Sequence, residues 1–488
     1  MDYIFFFVVT AVAALLPLVV RKGVRGVFSA ALTGSTVIFG VALVIAVPAL
    51  FSAPSASPDA LWYIDPFAAL LVLMTAFVQW TATMVSVTYL SHEHDEGIVG
   101  EREVRWYFVL LYLFALSMFV TLLSNNLGIM WIALEATTLT TAFLVAFYTT
   151  DGSLEAAWKY ILICSVGISL GLLGMLLVFY AASAGGVAEA SGISWLNLLD
   201  LSASFPDTIM KLAFAFILVG FGTKMGLVPM HTWLPDAHAR TPSPISGVLS
   251  GVLLNAALFA ILRYKALVDG SLGDSSWTDS LLIFFGVLSF AVSAVFILVQ
   301  ENYKRLLAYS SIEHMGFMTF AFGLGPVGYA AGIVHIVGHA LTKSLLFFAA
   351  GNVLLRFKHT VIERIGNVIN VLPYSGPFLL IGILALLAVP PSPLFLSEYE
   401  AIAAAVTVHP IATFIVLVSG AVAVAGFIRL FLPMLLEVRG EAAPVVGERW
   451  NLSHTAMALH VVLIIVIGVA LMAPAGRTFI TSVATYLL

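Results

Sequence analysis

The sequence predicts an all-α polytopic membrane protein of fourteen transmembrane helices, and three observations lead there. Of 488 residues, 61% are apolar and only 10% are Asp, Glu, Lys or Arg, against roughly 25% charged in an ordinary soluble domain. The mean hydropathy is +1.07. Too little polar surface exists to cover a water-soluble globule, and apolar content this high drives burial rather than disorder. The apolar stretches also recur at the length of about 20 residues that crosses a bilayer. One Cys in the chain excludes an internal disulfide framework and Cys-ligated iron–sulfur or zinc clusters. A formal net charge of −5 makes nucleic acid a poor partner.

In chain order the spans fall near 3–20, 27–51, 62–90, 104–124, 126–149, 155–182, 207–230 and 242–267, then 276–299, 305–325, 329–355, 369–408, 410–436 and 455–473. No basic residue precedes the first, and Arg21 and Lys22 follow it, so it reads as a retained span and not a cleaved signal. Alternating sides from an outer N-terminus puts fourteen of the 21 Lys and Arg in cytoplasmic loops, Lys22, Lys304 and Arg439 among them. Lys211, Arg263, Lys265 and Arg477 fall outside, while Lys224, Lys343 and Arg429 lie within spans. That bias predicts both termini on the outer side of the membrane. The longest polar stretch, 180–207, then lies outside. The acidic loop 91–105 reads as a solvated cytoplasmic connector, with His92 and His94 in no ligand role.

Ionisable groups inside spans are expensive and are functional candidates by default. Glu135 sits in span five, Lys224 in seven, Glu313 and His314 in ten, His335, His339 and Lys343 in eleven, and Glu398 in twelve. His335, His339 and Lys343 recur every four residues, one stripe along a helix. Such a stripe can pass protons through bridging waters. A His pair at this spacing can also hold zinc, but no carboxylate or Cys accompanies it in that span, so no metal is expected. One buried Lys or His can simply satisfy a carbonyl; eight such groups together repeat a desolvation cost that a purely structural bundle has no use for.

Two spans are broken by proline. Pro229 follows Lys224 in span seven, and Pro390, Pro391 and Pro393 precede Glu398 in span twelve. Unwound backbone survives at membrane depth only where protein or a water-filled cavity solvates it. Two proline breaks, each beside a charge, in comparable places of two halves point to inverted repeats. The expected organisation is residues 1–101 as helices 1–3, 102–270 as repeat one (helices 4–8), 271–438 as repeat two (helices 9–13), and 439–488 as helix 14.

Three strings carry a family resemblance: FGTKMGLVPMHTWLPDAHARTPSPISGVLSG, ENYKRLLAYSSIEHMG and HIVGHALTKSLLFFAAGNV. They resemble the proton-translocating antiporter-like subunits of respiratory complex I, Mrp-type antiporters and membrane-bound nickel–iron hydrogenases, over roughly residues 62–435. LEATTLTTAFLVAFY, AAWKYILICSVGISL and SSIEHMG look most like component F of hydrogenase-4 and formate-hydrogenlyase-type complexes. The resemblance implies proton transfer through Glu135 and Lys224, along His335, His339 and Lys343, to Glu398 as terminal ion, with Glu313 and His314 beside the path. It also implies partner subunits, membrane-embedded and peripheral. One departure is Asn255, where many members carry Lys or His; Asn can hold a water but carries no charge.

The physics fits. A carboxylate about 7 Å from a buried ammonium, at an effective dielectric near 20, favours the charged form by roughly 2.4 kcal/mol. Neutralising Glu135 would therefore let Lys224 release its proton. The chain shows no redox motif and no cofactor site, neither CxxC pairs nor a GxGxxG opening a βαβ unit, so energy must come from partners. The expected function is a proton-translocating subunit of an energy-converting oxidoreductase complex. The alternatives are a Na⁺/H⁺ antiporter subunit, a membrane proton-coupling partner of an inorganic-carbon uptake enzyme, and a structural subunit with an inactive channel.

Overall fold

The computed structural model describes residues 3–21, 23–186, 193–438 and 447–487. Lys22, Arg439 and part of the polar stretch 180–207 lie outside the described residues. The chain is helical almost throughout. Helices α1 (Tyr3–Val19), α2 (Gly23–Leu50), α3 (Pro66–Asp95), α4 (Glu101–Leu123), α5 (Leu127–Val145) and α6 (Asp151–Ala184) come first. A two-residue hairpin, β1 (Ser55–Ala56) with β2 (Tyr63–Ile64), joins α2 to α3. Short α7 (Trp195–Leu201) precedes α8 (Asp207–Met225), α9 (Trp233–Arg240), α10 (Ser243–Val248) and α11 (Leu254–Leu272). Then follow α12 (Ser276–Leu298), α13 (Tyr303–Gly323), α14 (Pro326–Phe357), α15 (Val368–Val371), α16 (Ser375–Leu386) and α17 (Pro393–Val408). Helices α18 (Pro410–Leu436), α19 (Leu452–Met472) and α20 (Pro474–Ala484) complete the chain.

Among the described residues, eleven helical segments are long and apolar enough to cross a membrane. Helices α1 and α16 are apolar but shorter. The segment from α10 to α11 and helix α14 are buried along their whole apolar windows, whereas only 33% of that window is buried in α6, α18 and α19. The centre of the bundle is thus α10, α11 and α14, with α6, α18 and α19 at the rim.

Local chemistry sets the helix ends. Asp65 caps α3 by accepting from the Ala68 amide at 2.8 Å, and Asn126 caps α5 through Ile129 at 3.0 Å. Proline occupies the first turn of α3, α14, α17 and α18, where its missing N–H is no loss.

Both expected breaks are present. Gly226, at φ 85°, ends α8 in a left-handed turn that glycine adopts freely. Its freed groups are taken up by neighbours: the Val228 amide donates to Ser289 Oγ at 3.0 Å, and Trp233 Nε1 donates to the Thr223 carbonyl at 2.9 Å. The second break separates α16 from α17, so the stretch read as one span at 369–408 is two helices. Ser392 Oγ donates to the Ala385 carbonyl at 3.0 Å and accepts from the Leu394 amide at 3.2 Å. Protein groups thus solvate the irregular backbone. A third irregularity was not expected: Leu249–Leu253 is a π-helical turn joining α10 to α11.

Three loop assignments need correction. The 91–105 connector is mostly helical, and its Glu93 is 5% exposed and accepts from the Tyr148 hydroxyl at 2.7 Å. Lys304 is buried in the first turn of α13 and donates to the Thr241 carbonyl at 2.6 Å. Arg263 and Lys265 belong to α11 and are buried, paired with Asp65 at 2.6 Å and with Asp269 and Asp279 at 2.5 and 2.8 Å.

Candidate functional site

Two groups of buried polar side chains occupy the two halves of the bundle. The first is built on α5, α6 and α8. Lys224, fully buried in the last turn of α8, donates to Thr138 Oγ1 at 2.8 Å and to the Tyr160 hydroxyl at 2.7 Å. Thr138 in turn donates to Glu135 Oε2 at 3.0 Å, and Ser165 donates to Glu135 Oε1 at 3.1 Å. Tyr160 and Thr141 share a hydrogen bond of 2.6 Å. The ammonium lies 5.0 Å from the centre of the Tyr160 ring, which packs on Trp233 of α9. The broken helix therefore both frees the α8 terminus and sends back a tryptophan to wall the lysine in. Glu135 is half-buried, on a face of α5 whose neighbours Ile132 and Leu139 are exposed.

The second group is built on α13, α14 and α17. Lys343 donates to the Leu307 carbonyl at 2.9 Å and to the Ser310 hydroxyl. His314 Nδ1 lies 2.9 Å from His335 Nε2, and His335 Nδ1 lies 2.9 Å from Ser397 Oγ. Ser397 gives its own proton to the Leu394 carbonyl at 2.9 Å. Its oxygen therefore accepts from His335 Nδ1–H, and His335 Nε2 accepts from His314 Nδ1–H. The His335, His339 and Lys343 stripe exists on one helix, but its members face different partners. Both ring nitrogens of His339 are buried without a protein hydrogen-bond partner, and its ring centre is 5.6 Å from that of His314. Glu313, His314 and Glu398 line one cavity of about 210 Å³, walled otherwise by apolar residues such as Phe290 and Phe317.

Asn255 lies in the first turn of α11, two residues after the π-helical segment, with Nδ2 donating to the Gly251 carbonyl at 2.7 Å. Its Oδ1, Thr342 Oγ1 on α14 and Gln79 Oε1 on α3 are buried polar atoms without a protein partner. Such atoms are the sites that internal water satisfies. Pro229, Pro390, Pro391 and Pro393 all lie at the two breaks, where Val228–Pro229 and Pro390–Pro391 are cis peptides.

The sequence reading picked the titratable residues and missed the hydroxyls that connect them: Thr138, Tyr160, Ser165, Ser310 and Ser397. Some signal existed. Thr138 stands three residues after Glu135, Ser397 adjoins Glu398, and Ser310 lies three residues before Glu313.

Residues 124–424 match the model of the NADH:quinone oxidoreductase/Mrp antiporter transmembrane family. A protein of Methylacidiphilum infernorum (isolate V4), named hydrogenase-4 component F homolog, is 37% identical over 391 residues, 80% of this chain and 82% of that one. A chain of the membrane-bound sulfane sulfur reductase, an archaeal respiratory membrane complex, has a TM-score of 0.83 at 25% identity, covering 99% of this chain and 98% of its own. A chain of the Mrp complex from Dietzia sp. DQ12-45-1b has a TM-score of 0.85 at 18% identity, covering 99% of this chain and 96% of its own, a likeness of fold alone. The apolar helices and the family match make this a multi-pass membrane protein.

Proposed function

The chain belongs to the NADH:quinone oxidoreductase/Mrp antiporter transmembrane family, and from that premise we propose that it is the proton-translocating membrane subunit of an energy-converting oxidoreductase complex of the hydrogenase-4 or formate-hydrogenlyase kind. Protons enter at Glu135, pass through Thr138 to Lys224, cross the bundle by water held at Asn255 and Thr342, and continue by Lys343, His339, His314 and His335 to Glu398. The two five-helix repeats each contribute one broken helix to this path. Both termini face the outer side of a prokaryotic inner membrane.

The observation that carries the reading is what the two buried lysines hold. Lys224 and Lys343 donate to hydroxyls and a carbonyl. A lysine bonded this way loses its proton without stranding a bare carboxylate in low dielectric, which a tight buried ion pair cannot do. Glu135 reaches Lys224 through Thr138, near enough to bias the lysine and too indirect to lock it.

Sodium–proton antiport is the second reading, favoured by the shared Glu313 and Glu398 cavity, where two carboxyl groups stand ready for a small cation. Lys224→Ala and Glu135→Gln in the reconstituted complex decide the first half of the path. Each should abolish most proton uptake per turnover while partner subunits still bind. Unchanged uptake in both would overturn the assignment. Sodium-dependent uptake that survives both but fails in Glu398→Gln would select antiport.

A further inference from the structure

We propose that a divalent cation of the zinc class binds between α13, α14 and α17, held by His314, His335 and Glu398. One nitrogen of each imidazole and one oxygen of Glu398 lie within 4.8 Å of one another. His314 Nδ1 and His335 Nε2 already stand 2.9 Å apart. Two nitrogens bound tetrahedrally at about 2.1 Å from zinc stand about 3.4 Å apart. The nitrogens must part by about half an ångström and the two rings tilt so that both lone pairs converge on the metal, which takes the place of the proton they share. The Glu398 carboxylate closes the remaining distance by side-chain rotation in the cavity it lines.

The surrounding bonds prepare the ligands. Because Ser397 spends its proton on the Leu394 carbonyl, it accepts from His335 Nδ1–H and leaves a lone pair on His335 Nε2. An outer partner that fixes the tautomer of a ligating histidine is the usual companion of a metal site. His314 shifts its proton from Nδ1 to Nε2 as the metal arrives. The charges are complementary as well: Glu398 and Glu313 line the same cavity, so two carboxylates stand opposite one doubly charged ion. The cavity of about 210 Å³ has room for a water as fourth ligand, whose share of liquid volume is about 30 Å³. His339, buried beside His314 with both ring nitrogens unpartnered, is a further donor in reserve. The sequence suggested only a His335–His339 pair on one helix; the folded set takes one member of it and adds ligands from two other helices.

Bound zinc closes the path from His314 to Glu398, a consequence that rests on the proton-transfer reading; the binding itself does not. The test is a zinc titration of the full chain in detergent micelles, after chelator treatment, against a competing chromophoric chelator. The expected result is one site per chain whose affinity falls about tenfold or more in His335→Ala and in Glu398→Gln. His92→Ala, on the surface beside Glu96, should leave it unchanged. Zinc-edge X-ray absorption of the unmodified chain should show two imidazoles with oxygen ligands, a reading independent of how the variants fold. Equal affinity in His335→Ala, or an edge spectrum without imidazole, overturns the proposal. Neither measurement involves turnover, so loss of the transport reading would leave the zinc result standing, and the reverse.

Discussion

At the scale of single residues, two kinds of buried charge coexist. Arg263 and Asp65 form an ion pair at 2.6 Å with side chains only 6% and 1% exposed, and the guanidinium also stacks 4.3 Å from the Trp195 ring. Lys224, in contrast, has hydroxyl partners and a carboxylate one residue removed. The first arrangement holds a fold; the second is the one the proposed proton path requires. Asp65→Asn keeps a side chain able to cap α3 but strands the arginine, at a cost of about 3–5 kcal/mol. The expected result is a lower thermal midpoint in detergent with transport per folded molecule unchanged; impaired transport at full stability would contradict a structural role. Thr138→Val removes only the hydroxyl between Lys224 and Glu135. A hydrogen bond to a charged group is worth about 1.5–3 kcal/mol, so proton uptake should fall about tenfold or more, and Thr138→Ser should restore it. Uptake at the unmodified rate in Thr138→Val would remove the threonine from the path. The titratable residues were legible in the sequence because a charge in an apolar span is conspicuous by composition. The connecting hydroxyls were not, since Ser and Thr are common in membrane helices and only packing across α5, α6 and α8 distinguishes Thr138 from its neighbour Thr137.

At the scale of elements, hydropathy and proline located the long helices and both breaks to within a few residues, though not the number of crossings: eleven described segments are long and apolar enough to span, against fourteen expected. What escaped were features made by contact between elements. The π-helical turn at Leu249–Leu253 coincides with Ser250 bonding Ser311 on α13 at 2.7 Å, a partner no local pattern announces. Gly468 is another. It lies inside α19, four residues before its end, where glycine weakens a helix, yet a Cβ there would overlap the Pro391 carbonyl oxygen at the break between α16 and α17. Helix α19 therefore acts as a strut against unwound backbone. Gly468→Ala raises the intrinsic helix propensity of α19, so propensity alone predicts stabilisation, while the contact predicts the opposite. We expect the contact to prevail, with α19 displaced, lower thermal stability and reduced transport through Glu398, since α17 begins at this break. A Gly468→Ala protein as stable and active as the parent would show that α19 does not bear on the break.

At the scale of the whole molecule, the side of each loop can be read from contacts as well as from charge. Among the described residues, five ion pairs between distant parts of the chain join residues that alternating spans place together: Lys358 with Glu96, Lys159 and Arg305 with Asp236, Arg263 with Asp65, and Lys265 with Asp279. Neither set contains a residue that the alternation assigns to the other face, so span counting and packing agree on which loops are neighbours. They do not by themselves say which face is the cytoplasm; the proposed orientation rests on the Lys and Arg bias. The chain offers a clean background for checking it, because Cys164 is its one cysteine and is buried. Asp95 and Asp274 are both exposed, and α4, α5, α6, the α8–α9 pair and the α10–α11 pair lie between them. Five crossings put them on opposite sides. With a membrane-impermeant maleimide, Asp274→Cys should label in right-side-out vesicles and Asp95→Cys only in inverted ones. The reverse pattern would turn the molecule over and exchange entry and exit of the proton. Labelling of both from one side would make the number of crossings even, and an even number cannot build a repeat that its successor inverts.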